Sequence, residues 1–338
     1  MTLTALVSRL LGRSEPTRPE PKLKDTSDGG LSKAELVFLG RFRVPQEPKW
    51  IEADPRWREV LGQDTAEAVR RFRERGLLVP GSPADLLSAG RSVKELKELC
   101  RAHGLKVSGT REELVPRLMQ GIPDLIPGLI AGKAVLRCSP EAARLAEEEA
   151  SQNDLKKAAA EEEVRAALAV RDFSRAARAM VQFEAGQVIP RGMGIDWTNY
   201  DAEAAALSVM FNRWPRLLAF VPEESRGDLR LAAGEMYLWA LSRPNARSFV
   251  PELEGPLKGD VACRMLVAFA LTEKLLTELR SIGQKRVVFI RKGGCAGCMS
   301  GPGIVPINSA PEIPRPECTN PEGCRCCLTA ATREESRG

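Results

Sequence analysis

Residues 91–118 read RSVKELKELCRAHGLKVSGTREELVPRL, and this stretch decides the local fold. Ser92 followed by Glu95 is a capping box. Its hydroxyl accepts a hydrogen bond from the amide of the third helical residue, and the carboxylate of that residue accepts one from the amide of the cap. Thr110 followed by Glu113 repeats the pattern eighteen residues later. The stretch therefore predicts two short helices joined by a turn.

Each of the two helices carries an apolar face. The first face consists of Leu96, Leu99, Cys100 and His103, and the second of Leu114, Val115 and Leu118. Gly104 supplies the left-handed conformation that ends many helices. Pro116 predicts a kink or an early end in the second helix, because proline lacks an amide and crowds the carbonyl four residues back. His103 has no second histidine or nucleophile near it, so it is interpreted as a half-buried helical residue.

This hairpin resembles the SAP motif, a helix, turn and helix module found in DNA-associated scaffold, repair and chromatin proteins. The resemblance covers about a twelfth of the chain. The matching positions are Val93, Glu95, Leu96, Leu99, Gly104, Leu105, Ser108, Gly109, Arg111, Leu114, Arg117 and Leu118. The resemblance implies DNA binding.

A helix N-terminus offers free amides and positive potential to a phosphate, which gives the second helix a physical route to DNA. The residues that lead into this helix are Ser108, Gly109 and Thr110, and Lys106 and Arg111 lie on either side of them. The secondary candidate contacts are Lys94, Lys97, Arg101 and Arg117. Residues 91–118 hold seven Lys or Arg against four Glu, enough for a few phosphate contacts. The alternative is that the hairpin serves only as a packing unit or as a protein-binding module.

Beyond the hairpin, composition excludes several classes of function. The 338 residues carry a formal net charge of +5, and residues 1–120 alone hold 22 basic and 17 acidic side chains. A single histidine excludes a Cys2His2 zinc finger and a His-rich metal centre. A basic run, Arg70, Arg71, Arg73 and Arg75, is interpreted as a solvated helix face, with a face toward phosphate as the alternative.

The pattern along the chain predicts a mainly α fold. The expected segments are an N-terminal amphipathic segment and linker (1–31), a small helical unit (32–85), the SAP-like motif (86–120), a long helical region (121–199), a helical domain (200–283), a Cys-rich module (284–330) and a tail (331–338).

The helical middle contains no recognisable catalytic motif. Ser139-Pro140-Glu141 is a strong helix start, and a hinge is expected at residues 151–154 of the helix that follows. There is no glycine-rich phosphate loop, nucleophile elbow or two-metal constellation in residues 200–282. The protein is therefore expected not to be an enzyme, and its middle region to act as a scaffold or a surface for a protein partner.

Six of the nine cysteines lie in the last 44 residues, after a β-branched strand candidate at 285–291. Their spacing is C-x2-C-x19-C-x5-C-x-C-C. Four thiolates make a tetrahedral zinc site, and the preferred set is Cys295, Cys298 and Cys318 with either Cys324 or Cys326. A structural zinc ion on a β-hairpin is predicted, with an iron–sulfur cluster and free or disulfide-bonded thiols as alternatives.

The tail is also loosely similar to the cysteine tail of phage head-morphogenesis-type proteins. The shared positions are Cys295, Cys298, Pro311, Pro314, Cys318, Gly323, Cys324, Arg325 and Cys326. This similarity suggests the runner-up function, a phage-derived or structural assembly protein whose hairpin contacts protein.

The sequence favours a cytoplasmic protein. The apolar stretch 1–12 is short and interrupted by Arg9, and no later run approaches the roughly 20 residues that span a bilayer. The expected partner is double-stranded DNA, bound through its phosphates with weak sequence preference, and no membrane partner is expected.

Overall fold

A computed structural model describes residues 30–191, 200–292, 295–300 and 303–332. The predicted amphipathic segment at the N-terminus lies almost wholly outside these residues. The described chain forms two compact units, the N-terminal unit (30–156 and 187–191) and the C-terminal unit (157–186 and 200–332).

The described residues are mainly helical, as predicted. The helices, in chain order, are α1 Lys33–Gly40, α2 Pro48–Glu52, α3 Pro55–Leu61, α4 Thr65–Glu74, α5 Pro83–Gly90, α6 Val93–Ala102, α7 Arg111–Gly121, α8 Ile126–Ile130, α9 Pro140–Ala169, α10 Phe173–Ala185, α11 Asp201–Asn212, α12 Glu223–Leu238, α13 Gly259–Ser281 and α14 Ala296–Met299. The strands are β1 Leu78–Pro80, β2 Leu136–Cys138, β3 Arg286–Ile290, β4 Ile304–Pro306 and β5 Cys327–Ala330.

The N-terminal unit has two apolar cores. The first gathers aromatic side chains from α1, α3 and α4, with Phe38 stacked edge-on against Trp57 at 5.1 Å. The antiparallel pair of β1 and β2 packs on this core, with Val79 opposite Arg137. This small sheet was not predicted, because three-residue strands carry too little periodicity to be recognised.

The second core of this unit belongs to the hairpin. Leu96, Cys100, Leu114 and Leu118 are fully buried, as their helical spacing predicts. Leu87 of α5 completes the same core, together with residues of α8. The hairpin therefore depends on a helix on each side of it.

Two local expectations about the helices were wrong, and half of a third was wrong. The second hairpin helix α7 runs five residues beyond Pro116 to Gly121, so the proline does not end it early. His103 caps α6 and is exposed rather than half-buried. Helix α9 runs unbroken through residues 151–154 and ends at Ala169. The chain turns shortly afterwards at Arg171, whose φ is +58°.

The C-terminal unit packs helices and a small sheet into one core. Helix α13 lies against α11 and α12, and β5 also contacts it. The sheet has the antiparallel order β4-β3-β5, so the predicted hairpin gains a third strand from residues 327–330. Buried residues of β3, such as Val287 and Phe289, join the core that α13 builds.

Candidate nucleic-acid interface and cysteine cluster

The outer surface of α6 carries three cations. Lys94, Lys97 and Arg101 line one groove with Val93 and Glu98. Their positions i, i+3 and i+7 share one face of the helix because three and seven residues are close to whole turns. None of the three cations has an ion-pair partner within the described residues. This face therefore holds three cations against one carboxylate and keeps a net positive charge in contact with solvent.

The turn between the hairpin helices is fixed by Arg117. Its Nη1 atom donates to the backbone carbonyls of Lys106 and Ser108, the latter at 3.0 Å. The Lys106 side chain is exposed and makes no ion pair in the part of the chain that the structure describes. Gly109 follows with a φ of +127°, a conformation that side chains rarely adopt. Arg117 thus holds the turn, and Lys106 projects from it.

The N-terminus of α7 is already occupied by carboxylates. The Thr110 amide donates to the Glu113 carboxylate at 2.8 Å, as the capping box predicts. A hydrogen bond from its own backbone amide lowers the pKa of Glu112. The Thr110 amide is therefore already bound, and two acidic side chains compete with a phosphate for this end of the helix.

Arg111 joins the start of α7 to the end of α5. Its Nη1 atom donates to the carbonyls of Ser88 and Arg91, the latter at 2.6 Å, and the side chain is half-buried. The last carbonyls of a helix lack intrahelical partners, so Arg111 supplies what the end of α5 needs. Lys133 does the same for the Gly90 carbonyl at 2.6 Å.

We expect Arg111→Ala to lower the free energy of unfolding by about 1–3 kcal/mol, since it leaves half-buried carbonyls without a charged donor. Lys106→Ala, which removes an exposed cation of the same hairpin, should change it by less than about 0.5 kcal/mol. Urea unfolding of both variants measures the difference. Equal stability of the two variants would show that Arg111 does not support the fold.

The predicted nucleic-acid contacts thus differ in what they do within the protein. Lys94, Lys97, Arg101 and Lys106 have no ion pair among the described residues, Arg111 and Arg117 bind backbone carbonyls, and Ser108, Gly109 and Thr110 form an exposed turn. The support from α5 was missed, although its capping box, Ser82 with Asp85, is visible in the sequence.

The five cysteines predicted as ligands lie together at the edge of the β3 sheet. Their sulfurs form two groups of three, each with all sulfur atoms within 4.8 Å of one another. The groups are Cys295, Cys298 and Cys318, and Cys298, Cys324 and Cys326. Cys298 belongs to both groups, which the spacing did not indicate. Cys327 is in neither, because it lies in β5 opposite Ile290.

Backbone amides point at most of these sulfurs. The amide of Thr319 lowers the pKa of the Cys295 thiol to about 6, with further help from the amide of Cys298. The amide of Arg315 donates to the Cys324 sulfur at 3.4 Å. Such donors stabilise a thiolate, the form that binds metal.

Burial acts in the opposite direction on the inner thiols. It raises the pKa of Cys318 to about 11 and that of Cys298 far above its ordinary value. A buried thiol of this kind loses its proton when a cation takes the proton's place. The cluster could therefore hold a metal ion, with Cys298 at its centre.

The cluster is anchored to the helical core. The amide of Cys324 donates to the sulfur of Met265 on α13 at 3.1 Å. Cys298, Cys324 and Cys326 are buried in the same core as α13. The cysteine-rich tail therefore packs on a larger apolar core than its own residues could form.

A capped two-helix hairpin with a basic exterior is typical of small helical nucleic-acid-binding modules. Residues 89–120 match the family model of the SAP domain, and the chain contains a SAP domain there. SAP domains generally bind nucleic acids. Comparison with curated proteins and with solved structures gave no match. Within the described residues, no helix is both long and apolar enough to cross a membrane.

Proposed function

We propose that this protein is a cytoplasmic, non-catalytic DNA-binding protein whose SAP domain contacts the phosphates of double-stranded DNA. The observation that carries the proposal is the set of cations without ion pairs on the hairpin, at Lys94, Lys97, Arg101 and Lys106. Such cations release condensed counterions when they meet phosphates. Contacts of this kind recognise the backbone rather than base edges, so sequence preference is weak.

We propose that α6, rather than the N-terminus of α7, makes most of the phosphate contacts. A phosphate near Thr110 would face Glu112 and Glu113, whereas the α6 groove presents three cations against Glu98. Arg117 serves the interface by holding the turn in shape, and Arg111 serves it by joining the start of α7 to the end of α5. Lys106 then extends the positive surface into the turn.

A salt titration of the wild-type protein tests this function. Four phosphate contacts on the hairpin should contribute about −3.6 to the slope of log K against log salt, because each neutralised phosphate adds about 0.9. Fluorescence anisotropy with a labelled duplex at 50 and 200 mM salt measures the slope. Absence of binding at low salt would contradict the proposal and favour a hairpin that contacts protein, as in the assembly-protein alternative.

The cysteine cluster serves this function as a structural zinc site. A tetrahedral zinc ion with Zn–S bonds of about 2.3 Å places its sulfurs about 3.8 Å apart. The Cys295–Cys318 and Cys298–Cys324 sulfur pairs are separated by 3.7 and 3.8 Å. Both pairs have the sulfur spacing of a tetrahedral zinc site, so we assign these four thiols to one ion, and Cys326 is then the spare thiol. All four positions being cysteine favours a closed, structural site.

A further inference from the structure

A cleft lies beside the SAP domain in the N-terminal unit. It has a volume of about 370 Å³ and is bounded by α2, α4, the β1–β2 sheet and the start of α5. Its apolar lining includes Val69, Pro80, Leu86 and Val135. Both its walls and the hairpin therefore belong to one compact unit.

Three cations and one carboxylate line this cleft. They are Arg70 and Arg73 on α4, Lys133 before β2, and Glu52 at the end of α2. Arg73 is exposed and has no ion pair within the described ranges. Arg70 is 68% exposed and only loosely paired with its helix neighbours Glu67 and Glu74, at 3.4 and 4.0 Å. Exposed pairs of this kind contribute little, so the cleft keeps a positive field.

The cleft is continuous with the hairpin through α5. Leu86 of α5 lines the cleft, while the next residue, Leu87, is buried in the hairpin core. Lys133 reaches from the cleft to the Gly90 carbonyl at the end of α5, and Arg111 of α7 binds the neighbouring Ser88 carbonyl. The helix thus fixes the cleft relative to the SAP domain.

We propose that this cleft is a second phosphate-binding site, which takes the backbone of the same nucleic acid that the SAP domain binds. The proposal rests on the function proposed above. Arg70 and Arg73 stand three residues apart on α4, so their side chains are neighbours on one helix surface. They present two guanidinium groups side by side. Each guanidinium can donate two parallel hydrogen bonds to the oxygens of a phosphate. A polyanion bound at the hairpin would have this second positive surface within the same compact unit.

The test compares two double variants with the wild type in the same salt titration. Arg70→Ala/Arg73→Ala should make the slope less steep by about 1.8, because two phosphate contacts are lost. Between 50 and 200 mM salt, the wild type should then lose about tenfold more affinity than this variant. The matched control, Arg56→Ala/Arg58→Ala, removes two exposed arginines that are already paired with Asp54 and Asp64. It should leave the slope unchanged.

The outcomes separate this inference from the function on which it rests. If the wild type does not bind DNA at low salt, the proposed function fails first. If it binds and the Arg70/Arg73 variant keeps the wild-type slope, the cleft is not a phosphate site. Equal changes in both double variants would reveal a general effect of net charge and would also overturn the inference. Binding of inorganic phosphate alone, with the DNA slope unchanged, would assign the cleft to a small anion instead. Unaltered melting temperatures show that the variants are folded.

Discussion

Cys298→Ser is expected to abolish metal binding. Cys298 is the sulfur that both groups of three share, so its loss leaves each group with two thiols. A serine hydroxyl does not ionise to replace a thiolate, so the proposed four-thiol site loses the sulfur that links its Cys295–Cys318 pair to Cys324. We expect the metal content to fall from about one zinc per chain to near zero. The free energy of unfolding should fall by more than about 4 kcal/mol, as loss of a metal site can cause. Elemental analysis and urea unfolding measure both effects.

Two further serine variants make this test specific. Cys327→Ser changes a cysteine outside the cluster and should keep the metal. Cys326→Ser removes the thiol left spare by the sulfur distances, and should also keep it. Metal retained by Cys298→Ser would contradict a site centred on that sulfur. Visible absorbance with bound iron would show that the cluster is an iron–sulfur centre.

The second large effect is expected from removing the hairpin cations together. Lys94→Ala/Lys97→Ala/Arg101→Ala/Lys106→Ala should abolish the part of the salt slope that these residues carry, about 3.6. When salt rises from 50 to 200 mM, the wild type should therefore lose about 100-fold more affinity than the variant. The fold should persist, because none of these side chains is buried or ion-paired among the described residues. Anisotropy titrations at the two salt concentrations measure the change.

A control of equal charge decides between position and net charge. Lys49, Arg56, Arg58 and Arg144 are exposed cations of the N-terminal unit, each paired with a neighbouring carboxylate. Replacing these four by alanine removes the same formal charge from outside the hairpin. We expect this variant to keep most of the wild-type slope. If it weakens binding as much as the hairpin variant, the SAP domain is not the principal contact.

The sequence predicted the hairpin well because its signals are local. The capping boxes at Ser92 and Thr110 use partners three residues away, so they can be read without the tertiary structure. The burial of Leu96 and Leu118 follows from helical spacing. The closeness of the five cysteines was predicted as well, since metal-site spacing is also a local pattern.

The roles of individual side chains depended on partners far along the chain. Arg111 appeared free to bind phosphate, yet the carbonyl that it binds at Ser88 lies 23 residues earlier. Arg70 and Arg73 read as a solvated helix face, because Lys133 joins them in the cleft only through the fold. The central position of Cys298 likewise depends on how residues 318–326 return to it.

The hydrogen bond from Cys324 to Met265 has a consequence for how the C-terminal unit opens. The cysteine cluster and helix α13 share one buried core, so neither can be exposed without disturbing the other. Local opening occurs in cooperative segments that share such contacts. We therefore expect a metal bound at the sulfurs to protect the amides of α13 from hydrogen exchange, so that the cluster and the helix open as one cooperative unit.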